Sequence, residues 1–256
     1  IYERMSEPFE LKVCVTGPYT LSSLFLYKGK ETLSRLGGAL SQVVENNVFD
    51  EKRGKVGLIA VDEPLFGLLD DPLMDRGSEV RERLLRAWES IFHKAKSLGV
   101  RTCLHLHSTA DDLFWGAESL NVIESHVSDP LYRAKRTKEL LESTDKFLKA
   151  SICVTEFDSL IKASVAAASP QGLSESELNE KVAQVWKDIT HGRANPTDFL
   201  EGAKVMRERL VDVRCRFGVE RVPFAGPECG LKGFPSYECA LECLRRVSDA
   251  IKDAEK

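Results

Sequence analysis

Long apolar runs are missing from this sequence. No stretch approaches the roughly 20 apolar residues that a membrane span needs, and no secretory leader is visible at the start. A basic excess is missing as well. The 36 Lys and Arg face 40 Asp and Glu, for a net charge of -4. Without a cationic patch to track a phosphate backbone, nucleic acid is not an expected partner. A paired cysteine framework is also lacking: seven cysteines, an odd number, are scattered along the chain and fit a reducing, cytoplasmic setting. There is no short-period repeat and no low-complexity tract, and no Gly-x-Gly-x-x-Gly follows a strand, which argues against a dinucleotide fold. What remains is 256 residues, 43% of them hydrophobic, enough for one large core or two small ones.

Strands and helices alternate in the pattern. Leu11–Thr16 is a short apolar strand that runs into the turn Gly17-Pro18-Tyr19-Thr20. Residues 31–48 place Leu33, Leu36, Leu40, Val43 and Val44 on one side of a helix. Lys55–Val61 is a continuous apolar run, as a strand buried on both faces should be, and it stops at Asp62-Glu63-Pro64. A helix is expected over about 77–98, with Gly99 as its C-terminal cap, then a strand over 101–107. Further helices are expected over about 110–119 and 130–147, and strands over 121–125, 150–157 and 221–225. Residues 158–198 read as a helical insertion, broken at Pro170-Gln-Gly172, with Ser174–Ile189 helical. Helices over 198–217 and 236–253 complete the chain. Six strands alternating with helices mean βαβ units and a parallel sheet. The expected fold class is α/β, a TIM (β/α)8 barrel forming one catalytic domain over 1–256, with its first two strands missing from this sequence.

Histidine is scarce, yet two of the five fall together in Cys103-Leu-His-Leu-His-Ser108. On a strand, residues i and i+2 share a face, so His105 and His107 point the same way. Parallel α/β sheets carry their sites at the carboxyl ends of strands. Glu124 ends the next strand and Cys229 follows the last one. Two imidazoles, a carboxylate and a thiolate are all ligands that zinc accepts. Each has a plainer reading: hydrogen-bonded core histidines, a salt-bridged strand end, a small buried apolar residue. Cys14, Cys103 and Cys153 read as strand packing and Cys239 with Cys243 as helix core, while His93 belongs to its helix.

Five segments, in order and spanning most of the chain, carry a family resemblance. They are Val15-Thr-Gly-Pro-Tyr-Thr20, Ile59-Ala-Val-Asp-Glu-Pro64, His105-x-His107, Val122-Ile-Glu-Ser-His-Val-Ser-Asp129 and Gly226-Pro-Glu-Cys-Gly-Leu-Lys232. The sequence resembles the catalytic C-terminal barrel of cobalamin-independent methionine synthase, and above all its short single-domain relatives, the core methionine synthases. The resemblance implies a TIM barrel with earlier strands that this sequence lacks. It implies zinc held by His105, His107, Glu124 and Cys229, where His107 replaces the family's usual cysteine. It also implies that Asp62 holds the amino group of homocysteine, as a carboxylate pairs with an ammonium.

The departures bear on the methyl donor. Folate-using members place a pterin-contacting tryptophan seven residues after the glycine of Gly-Pro-x-Thr, where this chain has Leu24. They place a glutamate six residues after the Asp of Asp-Glu-Pro, where this chain has Leu68. The loop Glu156-Phe-Asp-Ser-Leu160 lacks the family's proton-donating histidine. For the short relatives the implied donor is methylcobalamin, delivered by a corrinoid protein, since no Asp-x-His-x-x-Gly cobalamin pattern is present. The expected function is a zinc-dependent methyltransferase that forms methionine from homocysteine. Alternatives are a corrinoid-pathway enzyme with another thiol acceptor or carrier, or a non-catalytic metal-binding barrel. His191 and His126 are the remaining catalytic candidates, His126 on account of its place two residues beyond Glu124.

Overall fold

The computed structural model describes residues 7–256 except 28, 30, 69, 70 and 170, and divides at Lys149 into two units. The first unit holds strands β1 (Phe9–Thr16), the two-residue β2 (Asp50–Glu51), β3 (Gly54–Glu63), β4 (Arg101–Leu106), β5 (Val122–Glu124) and the start of β6 (Phe147–Cys153). Its helices are α1 (Pro18–Ser23), α2 (Thr32–Asn47), α3 (Glu79–Ser97) and α4 (Lys135–Ser143). The second unit holds the end of β6, the helices α5 (Phe157–Ala167), α6 (Glu175–Thr190) and α7 (Ala203–Phe217), strand β7 (Phe224–Pro227) and helix α8 (Tyr237–Ala254).

The strand order is β1-β3-β4-β5-β6-β7, with β2 antiparallel on β3, and the ladders from β1 to β6 along that path are parallel. An order that never reverses has no topological switch point, unlike a doubly wound sheet. The class is therefore α/β, a parallel sheet flanked by helices and compatible with part of a (β/α)8 barrel. Six strands lie on the path among the described residues. They match the six expected from the sequence.

The local reasons are ordinary ones. β3 buries Leu58 to Val61 on both faces. α3 is opened by Ser78, whose hydroxyl accepts from Arg81 N at 3.1 Å, and it carries Glu79 and Glu82 in its first turn and Lys94 and Lys96 in its last. It stops where Gly99 takes φ +74°, a conformation glycine adopts at little cost. Leu84, Trp88, Ile91 and Phe92 form its buried stripe.

Three expected elements differ. The helix over 110–119 is a single 3-10 turn, Leu113–Gly116, because Asp111 Oδ1 accepts from Leu113 N at 2.7 Å and offers the backbone an alternative to helix. The helix over 130–147 shrinks to α4. Asp129 caps a short turn before it, and Asp145 at φ +50° ends the segment behind it. β6 then begins at Phe147, three residues ahead of the expected strand, which places Lys149 inside it. In the segment 158–198, α6 opens at Ser174 as expected, through a capping box with Glu177. α5 takes up the residues read as a loop from Phe157 on, and Pro170 lies outside the described residues.

Helices α2 and α3 meet closely at Gly37. A Cβ there would lie 2.8 Å from Ala87 Cα, whereas one on Gly38 would meet nothing within 4 Å. Gly37→Ala is expected to lower stability by about 1–3 kcal/mol through overpacking. Gly38→Ala is expected to raise it by up to about 1 kcal/mol through helix propensity. Urea unfolding of the two single variants reads both signs.

Candidate metal centre

The parallel register lays one row of polar side chains across the first unit. Thr16 pairs with Asp62, Asp62 with His105, and His105 with Glu124. Partners in register share a face, so these four point to one side at the carboxyl ends of their strands. His107 lies one residue past β4 and His126 two past β5. Their rings converge with that of His105. Centroids are 5.3 Å apart for His105 and His107, 4.1 Å for His107 and His126, and 6.1 Å for His105 and His126. One ring nitrogen of each lies within 4.8 Å of the others, so the three could hold a metal ion.

Two residues fix the loops that carry this cluster. Tyr132 Oη accepts from Ser125 N at 3.0 Å and donates to Lys149 O at 2.8 Å, which fixes the end of β5 beside His126. Asp129 accepts from Thr109 N at 3.0 Å and from Leu131 N at 2.7 Å, and Asp129 N donates to His126 O at 3.0 Å. Asp129 therefore clamps the loop after His107 to the loop after His126.

Glu124 takes a different place from the expected one. Its donor atoms are not in the converging group. Its side chain is 1% exposed, with Oε1 2.5 Å from Lys12 Nζ and Oε2 2.5 Å from Lys149 Nζ. Two ammonium groups occupy the oxygens that a metal would need. His105 Nδ1 lies 3.3 Å from Oε1, so the carboxylate backs the imidazole in the manner of a carboxylate–histidine–metal arrangement. Burial by itself would raise the Glu124 carboxyl; Lys149, His105 and Lys12 outweigh it and hold the group well below the usual carboxylate range. Lys12 is pushed up in turn, because attraction to Glu124 exceeds the cost of burial.

The fit to zinc can be tested on the donors themselves. Nitrogens at zinc's usual bond length sit about 3.3 Å apart in a tetrahedron, and the ring nitrogens here lie within 4.8 Å of one another. His126 Nε2 is buried with no hydrogen-bond partner among the described residues, an orphan that a metal would satisfy.

Asp62, to which the resemblance assigns the substrate amine, stands half-buried beside His105 in the row. Glu63, the next residue, faces away and is fully buried, accepting from Tyr19 N, Thr20 N and Trp88 Nε1. In the second unit Cys229 is half-buried. The residue before it is anchored to β6: Glu228 N donates to Cys153 O at 3.0 Å, and Glu228 Oε1 accepts from Thr155 N at 3.0 Å. His191 caps the end of α6, its Nδ1 2.6 Å from Lys187 O. His93 is exposed on α3.

Lys12 and Lys149 join the site without being singled out by the sequence pattern. Lys12 was within reach of the i, i+2 rule, since it shares a face of β1 with Cys14 and Thr16. Lys149 lies ahead of the strand expected over 150–157, because β6 begins at Phe147.

The fold and the cluster together define an α/β protein with a histidine-rich, metal-capable site at its strand ends. No protein-family model matches the chain, and no curated protein matches it. Among the described residues no helix is long and apolar enough to cross a membrane.

Proposed function

We propose that this chain is a zinc-dependent methyltransferase that moves a methyl group from methylcobalamin to the thiol of homocysteine, on a (β/α)8-type barrel. The observation that carries the metal part is the convergence of His105, His107 and His126, with the Glu124 carboxylate behind His105. The choice of reaction rests on the motifs that resemble the methionine synthase barrel. In this reading the resemblance, through its Gly226-Pro-Glu-Cys229 motif, supplies Cys229 as a fourth donor. Glu124, 3.3 Å from His105 Nδ1, would favour the tautomer that leaves Nε2 free as a metal ligand.

Zinc, when bound, supplies a positive centre that lowers a thiol's pKa from its free value of about 8.5. Three neutral imidazoles and one thiolate leave that centre with a net charge of about +1, more acidifying than a set with a carboxylate. Asp62 pairs with the substrate ammonium and sets its orientation, and it disfavours thiols that bear a second anion in the same place. The sulfur of the deprotonated substrate then attacks the methyl carbon in line. An S–C bond forms, the Co–C bond breaks, and its electron pair stays with the departing corrinoid. That leaving group needs no proton, which is consistent with His191 being spent on a helix cap.

The test begins with the zinc content of the purified protein. About one zinc per chain is expected. His126→Ala, His107→Ala and Cys229→Ala should each weaken its retention against a chelator by at least about tenfold. X-ray absorption should show a sulfur ligand gained when homocysteine is titrated in, and methyl transfer from methylcobalamin should follow. A protein without metal, or one whose metal ignores all three substitutions and the thiol, would overturn the reading.

A further inference from the structure

The loop that leaves β4 through His107 lines a recess of about 190 Å3 within the first unit. Thr109 on its wall is two residues beyond His107, hence within about 7 Å of it along the chain. The other features that matter are Arg76, Asp112, Trp115, Leu131 and Arg136.

Three guanidinium groups gather on Asp112. Its Oδ1 accepts from Arg81 Nη2 at 3.0 Å and its Oδ2 from Arg76 Nη2 at 2.7 Å. Arg136 Nη2 stands 3.6 Å from Oδ2, too far for a hydrogen bond. It makes no other ion pair among the described residues. Arg81 is also held by Asp111. Three arginines against two aspartates leave the mouth with one positive charge in excess. The side chains of Arg76 and Arg136 are 80% and 69% exposed, so their pairs with Asp112 are weak and exchange readily. Trp115 supplies a half-buried flat wall, packed on the buried Phe114 at a centroid distance of 5.1 Å, and Leu131 is part of the apolar lining.

Two exposed guanidinium forks beside an indole and an apolar wall match an anion carried on a flat ring. A phosphate monoester offers three oxygens to the two forks, where a carboxylate or a phosphodiester offers two. The ring stacks on the indole. We infer that this recess binds a phosphate group attached to a heterocyclic ring, a nucleotide-like ligand, with Arg136 and Arg76 on the phosphate and Trp115 on the ring. Asp112 holds the two arginines in place until the phosphate displaces it. Two sources offer this chemistry, a free nucleotide and the phosphodiester-linked nucleotide tail of a corrinoid. The second rests on the methyl-donor reading given above, whereas the recess itself does not.

Calorimetry on the full chain separates these outcomes. The probes are adenosine monophosphate, adenosine, inorganic phosphate, cobalamin and cobinamide, which is a corrinoid without the nucleotide tail. Adenosine monophosphate or cobalamin is expected to bind, and Arg136→Ala and Trp115→Leu should each weaken that binding by about tenfold or more. Binding should fall as salt rises. Adenosine and phosphate should each bind at least about tenfold more weakly than adenosine monophosphate. Cobalamin binding with cobinamide excluded assigns the corrinoid tail. Adenosine monophosphate bound with both corrinoids excluded assigns a free nucleotide. The inference is overturned if neither adenosine monophosphate nor cobalamin binds at millimolar concentration, if both substitutions leave binding unchanged, or if phosphate alone binds as well as the nucleotide. Zinc content of Arg136→Ala, expected to equal that of the parent, keeps a failure here distinct from a failure of the metal site.

Discussion

Glu63→Ala is expected to lower the stability of the protein by about 4 kcal/mol, read as a shift in urea midpoint at constant m-value. The carboxylate serves three donors at once: Tyr19 N at 2.9 Å, Thr20 N at 2.7 Å and Trp88 Nε1 at 2.9 Å. Helix α1 begins at Gly17-Pro18 and has no side-chain cap of its own. Glu63, from the end of β3, takes that role from outside the helix. Burial pushes its carboxyl up, and the hydrogen bonds from Trp88, Thr20 and Tyr19 oppose that rise. Removing it leaves an indole N–H in the core without an acceptor, and each such orphan costs about 1–3 kcal/mol.

The same contact explains Gly17. A Cβ there would come within 2.3 Å of the Glu63 carboxyl carbon, while its φ of -75° suits any residue. Gly17→Ala should therefore be costly alone and nearly silent in a Glu63→Ala background. Additive effects in that double-mutant cycle would refute the packing account.

Glu124→Ala is expected to cost about 3–5 kcal/mol, because it removes the buried carboxylate that Lys149 and Lys12 both face. The side chain of Lys149 is 11% exposed and that of Glu124 1%. A pH series carries the sign. Glu124 is held below its unfolded value, so its contribution is complete above the ordinary carboxylate range, near 4.5. It is lost as pH falls through the lower folded value. The gap in stability between parent and variant should thus persist through mild acid and close only in stronger acid. A gap that closes near pH 4.5, or a cost under about 1 kcal/mol, would show that the two lysines are solvated and the pair weak. The variant should also lose about 10–100-fold in metal affinity if the carboxylate orients His105.

These two glutamates show how differently neighbouring features could be read from the chain. Glu63 and Glu124 both end apolar strands, and the sequence marks both as acids at a sheet rim. Strand alternation separates Asp62 from Glu63, one facing the row of site residues and the other the helices. Nothing in the alternation tells that two lysines reach Glu124, since Lys12 is 112 residues away on β1, with β3 and β4 between it and β5, and meets Glu124 only because the sheet curls. The same holds for His126. Its distance of two residues from Glu124 made it a neighbour, but the strand ends at Glu124, and only the turn held by Tyr132 and Asp129 brings its ring to 4.1 Å from that of His107.

By itself the sequence determined the alternation of strands and helices, the C-terminal cap of α3 at Gly99, and the common face of His105 and His107. Each follows from period, capping chemistry or i, i+2 geometry, which are local. The tertiary structure decided which donors converge and which carboxylate is claimed by lysines. Those outcomes depend on register between strands and on charge balance in a buried row, where the partners of a residue come from distant parts of the chain and the stronger electrostatic claim prevails.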